Sequence, residues 1–267
     1  VLACFGSVIE QQKYLDLESS IVEKFPDCDV FVSFSSRMVI KLLKKKKNEE
    51  YKNLPQTLAD IDMLGYKHVS VVSINIFPTD EHEVLKKIVD GFKHFSLANI
   101  SCTNALLTKT KETTAFLKDL NEQISKDDTA NLYVIHGTPR LDTVGIDSIS
   151  YSASFLELIS ENNFTCSLEG AFPYFEINDV IKSRIEKLGL KKVQVVPLLL
   201  VSGNHYIEDM FEIKDDLSDK FESFIVPSLT KSEKFNLIEL PMIQNIIEKN
   251  IQNTFKMMGI SHKEITY

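Results

Sequence analysis

Two rhythms of apolar and polar positions alternate along this chain. Short apolar runs rich in β-branched residues are followed by stretches in which apolar residues return every three or four positions. The first rhythm marks buried strands and the second amphipathic helices. The clearest strand covers residues 193–201, VQVVPLLLV, between Lys191-Lys192 and Ser202-Gly203. An apolar run without alternation predicts a strand buried on both faces, as in a parallel sheet. A fainter copy exists at a constant offset of 124 residues: Leu64-Gly65-Tyr66-Lys67-His68-Val69-Ser70-Val71-Val72 matches Leu188-Gly189-Leu190-Lys191-Lys192-Val193-Gln194-Val195-Val196. At that offset Glu81 stands where His205 stands.

In chain order, strands are expected at residues 1–5, 29–34, 68–77, 99–106, 132–135, 165–168, 193–201 and 224–227, with helices between them. Strand-helix alternation of this kind predicts the α/β class. The duplication predicts two similar Rossmann-like domains with parallel sheets, facing each other across a cleft. The polar segment Ser125-Lys126-Asp127-Asp128-Thr129 is the expected boundary, giving domains at 1–126 and 127–240. Residues 241–267 carry an apolar stripe (Ile243, Ile246, Ile247, Ile251, Phe255, Met258) and should pack back as a helix on the first domain or the junction.

Composition narrows the function. With 267 residues and 43% hydrophobic content the chain can bury a sizeable core. A net charge of −8 argues against nucleic acid as the main partner. No apolar run approaches the roughly 20 residues of a membrane span. No basic segment precedes an apolar one at the start, so a cytoplasmic location is expected, with a trimmed leader still open. The four cysteines are scattered and form no C-x-x-C, which reads as free thiols in a reducing compartment. There is no phosphate-binding loop and no G-x-G-x-x-G, so no nucleotide cofactor is expected.

In the second half, three strands end in His136, Glu169 and His205. The carboxyl ends of parallel strands share one rim, where open α/β sheets place their ligands. Each residue alone has an ordinary alternative, as a hydrogen-bonded loop histidine or a surface charge. Together, two imidazoles and a carboxylate suit a divalent transition metal. In the first half, Ser35-Ser36 opens a helix whose free N–H groups, with Arg37, suit a carboxylate. His82, next to Glu81, is expected to face the cleft.

These pieces resemble a known family. Phe5-Gly6-Ser7 is similar to an opening FGTS, and Phe25-Pro26-Asp27 to FPD. Phe34-Ser35-Ser36-Arg37-Met38-Val39-Ile40-Lys41-Leu42 is similar to AFTS-x-x-II-x-KL, and Leu54-Pro55-Gln56-Thr57-Leu58 to TP-x-x-AL. His136-Gly137-Thr138 resembles HGT, and Glu169-Gly170 resembles EGYP. The sharpest match sets residues 196–210, VPLLLVSGNHYIEDM, beside PLMLVAGDHA-x-NDM. The compared motifs are those of the anaerobic-type sirohydrochlorin cobaltochelatases, of the class II tetrapyrrole chelatases, which this chain resembles. The resemblance implies a chelatase-like fold and ATP-independent insertion of a divalent metal, Co2+ foremost with Fe2+ or Ni2+ as alternatives. The acceptor would be sirohydrochlorin or a related tetrapyrrole, in cobalamin or sirohaem-type biosynthesis. It places the metal on His136, Glu169 and His205, with His136 also the base. Substrate contacts would fall on Ser35, Ser36, Arg37, Arg140, Glu81 and His82, and a homo-oligomer is compatible. There are departures: Pro139-Arg140-Leu141-Asp142 follows the HGT, Glu169-Gly170-Ala171-Phe172-Pro173 is one residue longer than EGYP, and Asn75 stands where LHI-x-G-x-EY has its histidine. They motivate an alternative from another class, a tetrapyrrole or metal carrier without turnover.

Overall fold

The computed structural model describes residues 1–203 and 208–260, and they form two compact units. Unit 1 comprises Val1–Leu106 together with the chain from Pro241 onward, and unit 2 comprises Leu107–Leu240.

Unit 1 holds strands β1 (Leu2–Cys4), β2 (Val32–Phe34), β3 (His68–Ile74) and β4 (Asn99–Cys102), all parallel, in the order β2-β1-β3-β4. Helices α1 (Gln11–Lys24), α2 (Arg37–Lys47), α3 (Leu54–Leu64) and α4 (Asp80–Lys93) connect them. Local signals fix the starts. The Ser36 hydroxyl accepts from the Val39 N–H at 3.3 Å to cap α2, and Asn53 and Gln56 form a reciprocal capping box at α3. Leu54, Leu58, Ile61, Leu85 and Val89 from α3 and α4 bury against Ala3, Val69 and Val71 of the sheet.

Unit 2 repeats the plan with β5 (Thr129–Gly137), β6 (Asn163–Glu169), β7 (Lys192–Leu198) and β8 (Glu222–Ile225), again all parallel, in the order β6-β5-β7-β8. Its helices are α5 (Thr110–Ile124), α6 (Ile146–Ile159), α7 (Tyr174–Lys187) and α8 (Asp209–Leu217). The copied segments at offset 124 become β3 and β7, which hold the same place in their respective sheets. β7 ends at Leu198 rather than at residue 201. Beyond it, the Leu199 and Leu200 carbonyls accept from the Leu237 and Ile238 N–H groups instead of from a neighbouring strand.

The division at 126/127 needs correction. The turn at 125–129 joins α5 to β5 inside unit 2, and the boundary lies at 106/107. A buried amide ladder explains why α5 belongs to this unit. Asn131 donates to the Asn163 Oδ1 at 2.7 Å, and the Gln194 amide donates to Asn131 Oδ1 at 2.5 Å and to the Ile124 carbonyl at 2.9 Å. Asn163 and Tyr133 donate to the Asn121 side chain at 2.8 and 2.9 Å. The inside of the sheet therefore needs the last turns of α5 to satisfy its polar groups.

The last helix, α9 (Pro241–Met257), belongs to unit 1. Ile243, Ile246, Ile247 and Ile251 are buried, Thr254 meets Ser70 of β3 hydroxyl to hydroxyl at 2.5 Å, and Phe255 packs edge-on against Phe25. Four buried isoleucines at about 2 kcal/mol each are comparable with the whole stability of a domain. Truncation after Leu240 is expected to lower the melting temperature by more than about 10 °C. An unchanged melting curve would show that α9 adds nothing to unit 1.

Candidate functional site

β5 and β6 are neighbours in register, with Gly137 opposite Glu169, so the residues at their exits emerge side by side. His136 Nδ1 lies 3.6 Å from Glu169 Oε1, and both side chains are a little under half exposed. They stand at a sheet rim, open to a ligand yet held by strands that are otherwise buried. An imidazole nitrogen and a carboxylate oxygen at this separation are two donors of the kind a divalent transition metal takes.

Two glycines hold this pair. Gly137 (φ +81°) and Gly170 (φ +84°) directly follow His136 and Glu169. A Cβ on Gly137 would lie 1.9 Å from the Glu169 carbonyl oxygen, and one on Gly170 would lie 1.8 Å from that of Thr138. Each strand exit thus leans on the backbone of the other, and the close approach aligns the two functional side chains. Ser167 adds a brace, its N–H donating to the Phe172 carbonyl at 3.0 Å and its hydroxyl to the Ala171 carbonyl at 2.7 Å. Phe172 is left-handed at φ +59° with its ring largely exposed. The sequence reading missed the interlock, although the signal was present: a glycine immediately after each site residue.

The third expected ligand, His205, lies outside the described residues. β7, which leads towards it, borders β5 on the side opposite β6. The chain is anchored up to Ser202, whose N–H donates to Asn236 Oδ1 at 2.7 Å and whose hydroxyl donates to the Phe235 carbonyl at 2.5 Å. Among the described residues, no cluster of three or more histidine, cysteine, aspartate or glutamate side chains could hold a metal. Arg140, in the loop after β5, grips Asp142 through Nε at 2.9 Å and Nη2 at 3.0 Å, holding that exposed carboxyl below the usual carboxylate range.

In unit 1, Ser35, Arg37, Asn75 and Glu81 line one pocket of about 140 Å³. Ser36 is committed to capping α2. His82 requires correction, because it does not face solvent. It is 3% exposed, with Nδ1 2.9 Å from the Ser73 hydroxyl, which also accepts from Asn75 Nδ2 at 3.0 Å. The helix turn that puts Glu81 outward turns the next residue into the core. Burial, and secondarily the nearby Lys86, depress the His82 pKa below its ordinary value. The unfolded chain therefore binds its proton more readily, and stability is lost as pH falls below about 6.5. Wild type is expected to lose more stability between pH 7 and pH 5 than His82→Gln, measured by denaturant unfolding. Parallel losses would remove His82 from the acid response.

All four cysteines are free, with Cys4 and Cys166 buried. No helix among the described residues is long and apolar enough to cross a membrane.

Comparison with known proteins places this geometry in a family. The family model described as cobalt chelatase (CbiK) matches residues 1–256. The sirohydrochlorin cobaltochelatase of Salmonella typhimurium is 22% identical over 195 residues, covering 72% of this chain and 71% of that protein. SirB from Bacillus subtilis with Fe3+ shares the fold at a TM-score of 0.68 and 14% identity, over 97% of both chains. The sirohydrochlorin chelatase SirB from Bacillus subtilis subspecies spizizenii, in complex with cobalt, gives a TM-score of 0.63 at 14% identity, over 96% of this chain and 94% of that one. A match that runs along nearly the whole sequence is decisive, and the chain belongs to the cobalt chelatase (CbiK) family.

Proposed function

We propose that this protein inserts a divalent metal ion, Co2+ in the first instance, into sirohydrochlorin without consuming a nucleotide. The observation that carries this reading is the meeting of His136 and Glu169 on adjacent strand exits, in a chain of the cobalt chelatase family. The name of the Salmonella relative supports the choice of macrocycle.

Insertion releases two pyrrole protons and requires a metal ion already stripped of part of its water. In our reading Glu169, His136 and His205 replace that water. As the ion passes to the ring nitrogens, the His136 imidazole that releases it becomes the acceptor for one pyrrole proton, and the second passes to solvent. Arg37 and Arg140 serve the acid chains of the macrocycle, Arg140 by exchanging Asp142 for a substrate carboxylate. Ser35 and Glu81 line the unit 1 pocket together with Arg37.

An anaerobic absorbance assay with sirohydrochlorin tests this, run separately with Co2+, Fe2+ and Ni2+ and no ATP. The metallated product is expected to form with Co2+ well above the uncatalysed rate. Stoichiometric binding of the macrocycle with no metallated product would overturn enzymatic turnover and leave a carrier.

A further inference from the structure

A second site lies wholly within unit 1, on the face of the sheet covered by α3 and α4. Ser33 of β2 is 1% exposed, and its hydroxyl has no hydrogen-bond partner. Ser33 is in register with Ala3, which packs with Leu54, Leu58 and Leu85. Its side chain therefore points to that same face, into the pocket it lines with Ser35, Arg37 and Glu81. A buried hydroxyl without a partner is costly, so a partner from outside the chain is expected. At about 140 Å³ the pocket greatly exceeds the space one water needs.

The chemistry around that hydroxyl points one way. Arg37 forms no ion pair among the described residues, and it opens α2, an 11-residue helix. The Val39 N–H is taken by the Ser36 side chain and the Ile40 N–H by the Ser36 carbonyl. The N–H groups of Arg37 and Met38, the first two of the same turn, have no helical carbonyl to serve. A guanidinium, first-turn N–H groups and a buried hydroxyl together offer donors to an anion. Leu54, Leu85 and Ile88 supply apolar walls. We propose that this pocket binds a carboxylate on a short aliphatic stem, with Ser33 and Arg37 as its principal donors. Glu81 at the rim opposes the charge, its carboxylate accepting from the Thr79 hydroxyl at 3.4 Å.

Such a carboxylate has two sources, a free small acid or an acid chain of a larger ligand. Only the second rests on the function proposed above. The probe is propionate, titrated into the isotope-labelled full chain and followed by amide shifts, with chloride at matched ionic strength as control. Shifts at Ser35, Arg37 and Asn75 are expected in wild type. Ser33→Ala and Arg37→Gln should each weaken binding about tenfold, the scale of one hydrogen bond to a charged group. Glu81→Gln should strengthen it. Equal affinity in wild type and Ser33→Ala, or no shifts at these amides, would overturn the proposal. Weakening by Glu81→Gln with the other two neutral would assign the pocket to a cation and overturn it equally. Adding metal-free sirohydrochlorin then separates the sources, since displacement of propionate identifies an acid chain and simultaneous binding identifies a free acid. Failure of the macrocycle to bind at all would sink the chelatase reading while leaving the propionate result intact.

Discussion

Replacing His136 by alanine is expected to slow metal insertion by at least about 10²-fold, the usual scale of losing a general base. The protein should stay folded. Both members of the His136–Glu169 pair are nearly half exposed, and such surface pairs contribute no more than about 1 kcal/mol. Far-UV circular dichroism and melting should therefore match wild type while single-turnover absorbance shows the loss. Glu169→Ala should weaken Co2+ binding, and the double variant should be little worse than the more damaging single one. Residues that act as one unit are strongly non-additive. A folded His136→Ala protein working within about threefold of wild type would remove the histidine from the chemistry.

The second large effect concerns backbone rather than side chains. Gly137→Ala and Gly170→Ala are each expected to cost at least about 2 kcal/mol and to weaken metal binding. A left-handed alanine is strained by about 1 kcal/mol, and a methyl that meets a carbonyl oxygen forces the two strand exits apart. The chain carries its own control in Gly65 (φ +75°) and Gly189 (φ +72°), the matched pair of the 124-residue repeat. Nothing lies within 4 Å of a Cβ at either position. Alanine there should cost only the left-handed strain, about 1 kcal/mol, and leave metal binding alone. Denaturant unfolding and calorimetric Co2+ titration of the four variants test the difference. Equal costs at all four glycines would mean that the strand exits do not depend on their close approach.

What could be read from residues alone divides along physical lines. The apolar run at 193–201 and its copy at 68–77 announced two parallel sheets, because burial on both faces leaves no polar alternation to misread. His136 and Glu169 were legible as rim residues, since strand polarity decides which end of a strand carries them, and register then sets them side by side. The boundary was not legible. The polar segment at 125–129 looks like a linker, but helix membership is decided by distant partners such as Asn163 and Gln194. His82 failed for a related reason, because one residue of helical rotation separates an outward Glu81 from a buried imidazole. Ser33 gave no signal within its strand, where a lone serine between valine and phenylalanine looks ordinary until its missing partner is seen.

The return of α9 to unit 1 sets an order on synthesis. Unit 2 is a continuous stretch of chain, complete once Leu240 has left the ribosome. Unit 1 is made first and finished last, since β3 and β4 wait for a helix encoded after the whole of unit 2. At about 5–20 residues per second that delay lasts roughly 7 to 30 seconds. During it, the sheet face that will bury Ile243, Ile246, Ile247 and Ile251 stands open in the cell. Until then the N-terminal half carries that apolar face uncovered, the kind of transiently exposed surface that favours aggregation.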